Sequence, residues 1–241
     1  MPIASRLVPK DPPYVSLPLR IAGVLRAPRR TFEAIARAPR WADVLIVSFL
    51  ATAPLTGVVL QTDVGRLALL DQLERTSTAF GQRVDDTQYA RLERVSERGA
   101  AYAIATSLLS GPLLAVGLSA VLFVVFRATA GGRATFRQVL AVVSHAGVIL
   151  ALRQLLAAPT TYLRETLASP LTLNMFFSML DEASPLARFA GIVDFFAIWW
   201  VVVLAIGTSV LYRRPFRLLA LAFVGVYILL AAALGVVMAI A

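Results

Sequence analysis

The apolar residues of this chain fall into long runs separated by charged segments. Five runs are long enough to cross a bilayer: residues 42–61, 100–126, 138–158, 190–211 and 216–240. A hydrocarbon core about 30 Å thick needs ~20 helical residues at 1.5 Å each, and every run meets that length. The second run, 27 residues without a charge, would measure about 40 Å, so it must tilt, protrude or bend. Gly111-Pro112 near its middle offers the bend, because proline lacks the N–H that the helix ladder requires. The pattern predicts an all-α polytopic membrane protein. Its five transmembrane helices form a bundle, with an N-terminal interfacial helix and an external helical hairpin.

The segments between the runs carry their own periodicity. Residues 1–40 hold seven prolines and eight Arg or Lys, with no apolar core of signal-peptide length. They read as a basic lead segment ahead of a membrane domain at 41–241. Within it, residues 28–38 place Phe32, Ile35 and Ala36 on one helical face, with Pro28 suited to the first turn. Such a helix is expected to lie on an anionic leaflet with Arg26, Arg29, Arg30 and Arg37 as lipid-facing cations. A plain charged flank that sets orientation is the simpler alternative. Residues 63–99 repeat Leu67, Leu70, Leu73, Leu92 and Val95 at helical spacing among many charges. Gly81 breaks that pattern and Asp85-Asp86-Thr87 can cap a second helix, so a hairpin is expected that covers the bundle or binds a partner. In 159–189, Phe176, Phe177, Met179 and Leu180 suggest a short helix at the outer interface.

Composition narrows the class. The 241 residues are 59% hydrophobic and 15% charged, too few polar groups to cover a soluble core. Mean hydropathy is +0.76. There is no cysteine and only one histidine, which removes disulfides, thiolate chemistry and multi-histidine metal sites. No metal, cofactor or catalytic constellation is expected: neither a His/Glu metal motif nor a nucleophile–base pair is visible, and the adjacent Asp85 and Asp86 read as a cap. Lys10 is the only lysine, and the arginine bias with many alanines fits a GC-rich bacterial genome.

The formal charge of +9 and pI near 10.9 could point to nucleic acid. Their distribution gives another reading. The lead segment, the connection after the second run and the connection after the fourth hold fourteen Arg or Lys against two acids. The other two connections hold eight Arg against ten acids. Alternate segments thus separate by charge, and the positive-inside rule puts the N-terminus in the cytoplasm and the C-terminus outside. The bilayer then accounts for the charge, and no nucleic-acid partner is needed.

Polar residues inside the runs are the candidate chemistry. Arg153 and Asp194 both fall within roughly 8 Å of the outer boundary. Lone charges in lipid are costly, so an ion pair between them is expected, with separate snorkelling as the alternative. His145 lies eight residues before Arg153, about 80° round the helix. His145, Arg153 and Asp194 form a candidate intramembrane cluster, although a single histidine in a span is more commonly interhelical packing. Gly131-Gly132 lacks the strand and helix context of a phosphate loop and reads as a turn.

Several segments together resemble a known family. Residues 28–35 read Pro-Arg-Arg-Thr-Phe-Glu-Ala-Ile ahead of the first run, and Gly111-Pro112 sits in the second. Gly131-Gly132-Arg133-Ala134-Thr135-Phe136-Arg137-Gln138 leads into the third, and Asp194-Phe195-Phe196-Ala197-Ile198-Trp199-Trp200 opens the fourth. This resembles the bacterial branch of the Yip domain family, the Ypt/Rab-interacting integral membrane proteins. Gly131, Gly132, Phe136, Gln138 and Trp199 carry its most specific parts; Gly111 and Pro112 alone are weak. The resemblance implies five spans with a cytoplasmic N-terminus. Eukaryotic relatives bind prenylated Rab GTPases, a partner that does not carry over to a bacterium.

The expected role is a non-enzymatic component of the bacterial inner membrane that organises lipid or binds a partner, such as another membrane protein or an anionic lipid. The alternative is a permease for a small solute or ion, or an accessory subunit of an export system, working through His145, Arg153 and Asp194.

Overall fold

The computed structural model describes residues 15–79, 81–131, 133–164, 171–176 and 184–240. Two short helices come first, α1 (Leu17–Arg26) and α2 (Pro28–Arg37). Pro18 and Pro28 occupy their first turns, where a missing N–H costs nothing. The first span is α3 (Ala42–Gln61), followed by α4 (Asp63–Ala79) and α5 (Asp86–Glu97). The second span is α6 (Gly99–Ala130), and the third comprises α7 (Phe136–Ala146) and α8 (Val148–Arg164). A short α9 (Pro185–Ile192) precedes the fourth span, α10 (Phe195–Tyr212), and α11 (Phe216–Ile240) is the fifth. Among the described residues, five stretches are long and apolar enough to cross a membrane, and each overlaps one of the apolar runs; the fourth begins only at Phe195.

The α7–α8 span forms the centre. It is the most enclosed of the five, because α6 and α10 pack against α7 while α3 and α10 pack against α8. Every residue from Val139 to Ala146 is buried, as expected of a helix covered on all sides by its neighbours. At Gly147 the helix tightens without breaking. The Gly147 N–H bonds to the Val143 carbonyl at 3.0 Å, and the Gly147 carbonyl accepts from both Leu150 and Ala151.

Small residues set how close the helices come. α3 and α6 are in extensive contact, and a Cβ on Gly111 would lie 1.8 Å from Cζ of Phe49. The Phe49 ring therefore occupies the notch that Gly111 leaves. Such small-residue contacts replace the hydrophobic drive that lipid cannot supply between helices. α6 runs as one helix through Pro112. At 32 residues it is about 48 Å long, well beyond the hydrocarbon core.

Two expectations need correction. The apolar face of residues 28–38 is not turned to a leaflet: Phe32 and Ile35 are fully buried, and α2 packs against α10 and α7. The bundle supplies the apolar surface that lipid was expected to supply. Asp194 does not lie within a span, because α9 ends at Ile192 and Asp194 is the N-cap of α10. The outer connection contains a 3-10 turn at Leu173–Phe176; Phe177, Met179 and Leu180 lie outside the described residues.

The predicted hairpin is helical on both arms. Asp85 caps α5 by accepting the Gln88 N–H at 2.8 Å. Its stripe is only partly used: Leu70 is buried against the hairpin and bundle, while Leu67 is 66% and Val95 48% exposed.

Candidate functional site

The candidate polar residues separate into two clusters at different depths. His145 belongs to one, Arg153 and Asp194 to the other. Eight residues of helix put His145 about 12 Å from Arg153 along the third span, so the expected three-residue cluster does not exist as one site.

The first cluster joins α1, α3 and α7. Arg20 is 5% exposed and forms an ion pair with Asp43, the acid in the first turn of α3. Its Nη1 lies 3.0 Å from Nε2 of His145, and it also donates to the Arg40 carbonyl at 3.3 Å. His145 Nδ1 sits 2.7 Å from the Ala141 carbonyl. A carbonyl can only accept and a guanidinium can only donate. The ring is therefore the neutral Nδ1–H tautomer, giving its proton to Ala141 and accepting from Arg20. Arg20 was missed as a partner because its surroundings read as a lead segment outside the bundle. The available signal was Val24, one turn along the same face; both side chains are buried.

The second cluster ties the third, fourth and fifth spans together. Arg153 Nε donates to Asp194 Oδ2 at 2.9 Å, the pairing expected from their matched depth. Asp194 Oδ1 accepts the N–H groups of Phe196 at 2.8 Å and Ala197 at 3.3 Å. The carboxylate thus also satisfies the positive end of α10. The Asp194 N–H donates to Tyr227 Oη at 3.1 Å, and that hydroxyl donates to the Ile192 carbonyl at 3.0 Å. Backbone pairing of residues 171–173 with 193–195 completes the support: Leu173 N–H bonds to Val193 O and Phe195 N–H to Leu171 O. Tyr227 was not anticipated; an aromatic residue within an apolar run carries no sign that its hydroxyl closes a helix start.

Between the clusters lies a cavity of about 350 Å³ among α3, α6, α7, α8 and α10. Phe49, Leu114, Leu118, Ser144, Arg153 and Trp200 are among its walls. Ser144 Oγ and Trp200 Nε1 are buried and have no hydrogen-bond partner among the described residues. His145 is not part of this wall.

Of the motif residues, Gly131, Phe136 and Gln138 lie at the Arg-rich end, whereas Trp199 lies near the opposite end of α10. Gly131 ends α6 in the left-handed conformation, φ 57°, where glycine carries no Cβ penalty. Gly132 lies outside the described residues. Thr135 and Gln138 form a reciprocal capping box at the start of α7. Gln138 does more: its Nε2 donates to the Ala36 carbonyl at 2.8 Å, satisfying an otherwise orphaned group in the last turn of α2. Phe136 meets Phe123 edge-on at 6.0 Å. Trp199 packs against Phe196 with ring centroids 5.9 Å apart. These positions hold α2, α6, α7 and α10 together. Arg26, Arg29, Arg30 and Arg37 are all exposed, and Arg29 makes a 3.6 Å contact with Glu33 one turn on.

Among the described residues, no group of three or more His, Cys, Asp or Glu is placed to hold a metal ion. Comparison with curated proteins and with solved structures finds no match. The Yip1 domain, however, matches residues 22–239, from α1 through α11. A chain matched over nearly its whole length, with five membrane-length apolar helices, is a member of the Yip1 family of membrane proteins.

Proposed function

We propose that this chain is a non-enzymatic component of a bacterial cytoplasmic membrane that binds a partner membrane protein through the α4–α5 hairpin. The observation that carries this reading is the exposure of Leu67, Tyr89 and Val95 on the hairpin. Apolar side chains on an otherwise charged surface element are costly to leave in water and suit a partner's apolar face. The buried and partly buried polar residues support the same reading, because Arg20, Asp43, His145, Arg153 and Asp194 bind one another and the helix ends. The alternation of arginine along the chain supports a cytoplasmic N-terminus and an external hairpin.

Isolation of the full chain in mild detergent tests the proposal, alongside a Leu67→Ser/Val95→Ser variant and an unrelated multi-span control. The expected result is a protein that co-purifies with the wild type and is lost from the variant. If nothing co-purifies above the control, or the variant retains everything, the hairpin is not the docking element.

The cavity beside Arg153 favours a second reading, a small-solute or ion permease. Its polar groups are consistent with a hydrated pocket. His145 is instead engaged by Arg20, so the three residues do not line one path. Proteoliposomes decide this: flux of protons, ions or solutes above empty vesicles would favour transport, and none would remove it.

A further inference from the structure

An arginine-lined crevice opens at the end of the bundle opposite the hairpin. Its walls come from α2, the α6–α7 connection, the start of α7 and the end of α10. Arg37, Arg133 and Arg213 all line it, each from a different element. Glu33 is the one acid in the lining, and it already faces Arg29 at 3.6 Å. None of the three guanidiniums has a hydrogen-bond or ion-pair partner among the described residues. Arginines at a membrane boundary ordinarily serve as solvated orientation markers. Convergence on one concave surface of about 660 Å³ is not required by that role.

Two further features mark the crevice as built. Arg213 has φ 53°, the one non-glycine residue with positive φ among those described. Glycine takes that C-terminal position without strain, yet here the position holds an arginine whose side chain lines the crevice. Arg214 and Arg217, close by in sequence, do not line it. Tyr212 also lines the crevice. Its ring is stacked on Phe126 at 4.5 Å, and its hydroxyl is buried without a partner among the described residues. A neutral donor without a partner therefore lies just beneath the crevice wall.

Acceptor-rich, negatively charged oxygens complement such a donor set, and arginine forks match phosphate geometry. Position selects the source of the phosphate. Tyr212 ends the fourth span, Gly131 follows the second and Gln138 lies in the first turn of the third, so the crevice sits at headgroup level. We propose that it binds the phosphate headgroup of one anionic bilayer lipid, with Arg37, Arg133 and Arg213 on the phosphate oxygens and Tyr212 donating a further hydrogen bond. This differs from a helix lying on an anionic leaflet, because it is one site with defined walls. It does not rest on the hairpin's partner.

Native mass spectrometry of the full chain from phosphatidylcholine nanodiscs with a minor fraction of phosphatidylglycerol tests the site. Wild type should retain phosphatidylglycerol in preference to phosphatidylcholine. Arg133→Gln/Arg213→Asn should lower that retention about fivefold or more, whereas Arg214→Gln/Arg217→Gln, which removes the same charge outside the crevice, should leave it within about twofold. Arg37→Gln and Tyr212→Phe leave both connections intact and should each lower retention, so they decide the matter if the first pair fails to fold. Equal loss from the two charge pairs indicates diffuse attraction and overturns the site. Absence of any phosphatidylglycerol preference in the wild type, or unchanged retention in both Arg37→Gln and Tyr212→Phe, overturns it as well.

Discussion

Arg20 Nη1 donates to His145 Nε2 at 3.0 Å, joining the first helix to the third span across 125 residues. With Asp43 on the same guanidinium, this contact makes α1 part of the membrane bundle. Arg20 is buried while Asp43 is partly exposed, so removing the acid leaves a largely uncompensated guanidinium, at a cost that water at Asp43 keeps below the ~3–5 kcal/mol of a fully buried pair. Asp43→Ala is therefore expected to lower the thermal midpoint in detergent sharply. His145→Ala should also be destabilising, but less, since it removes a neutral acceptor. The check is thermal unfolding of both variants and of Arg20→Met; equal and negligible shifts in all three would mean that the cluster holds nothing together.

At the other cluster, Arg153 and Asp194 should behave as coupled residues. Asp194→Asn keeps an N-cap side chain for α10 but loses the charge, whereas Asp194→Ala loses both. The alanine variant is expected to be the weaker by about 1 kcal/mol. A double-mutant cycle with Arg153→Gln and Asp194→Asn should give a coupling of about 0.5–3 kcal/mol. Additive effects would show that the pair contributes no joint energy.

Phe49 and Gly111 offer a test of how α3 and α6 meet. Gly111→Ala places a methyl where the Phe49 ring already lies and should cost about 1–3 kcal/mol through overpacking. Phe49→Leu in the same chain should recover part of that loss. Failure of the second substitution to help, measured by unfolding in the same detergent, would contradict the contact.

The hairpin should respond to acid through Asp85. The Gln88 N–H it accepts, with help from the Thr87 hydroxyl, holds its carboxyl below the ordinary value of 3.8. A depressed pKa means that the cap's contribution is present above pH 3.8 and is lost as pH falls through the lower folded value. Near neutral pH, Asp85→Ala should raise amide exchange in the first turn of α5, while Asp85→Asn, a competent cap, should not. Matching exchange in all three proteins would show that the cap is idle.

The spans were legible because lipid imposes length and apolarity on any helix that crosses it. Their contacts were less so. The pairing of Arg153 with Asp194 followed from depth alone. The partner of His145 did not, because Arg20 lies in a short helix between prolines, and nothing in its local pattern says that the helix folds back onto the bundle. The burial of Phe32 and Ile35 was misread for a related reason: an amphipathic helix shows the same stripe whether lipid or protein covers it. The role of Gln138 was half visible, since the capping box is a local signal while its bond to the Ala36 carbonyl spans 102 residues.

The functional reading depends on the two ends of the bundle facing different compartments. The chain contains no cysteine, so single cysteines report position without background. Variants Thr78→Cys and Thr87→Cys mark the hairpin, and Arg30→Cys and Arg214→Cys mark the Arg-rich end. A membrane-impermeant maleimide applied to intact bacterial cells, with the outer membrane permeabilised, should label the first two at once. The second two should react only after the inner membrane is opened. Labelling of Arg30→Cys or Arg214→Cys in intact cells, or of all four positions from one side, would contradict the five-span arrangement with a cytoplasmic N-terminus.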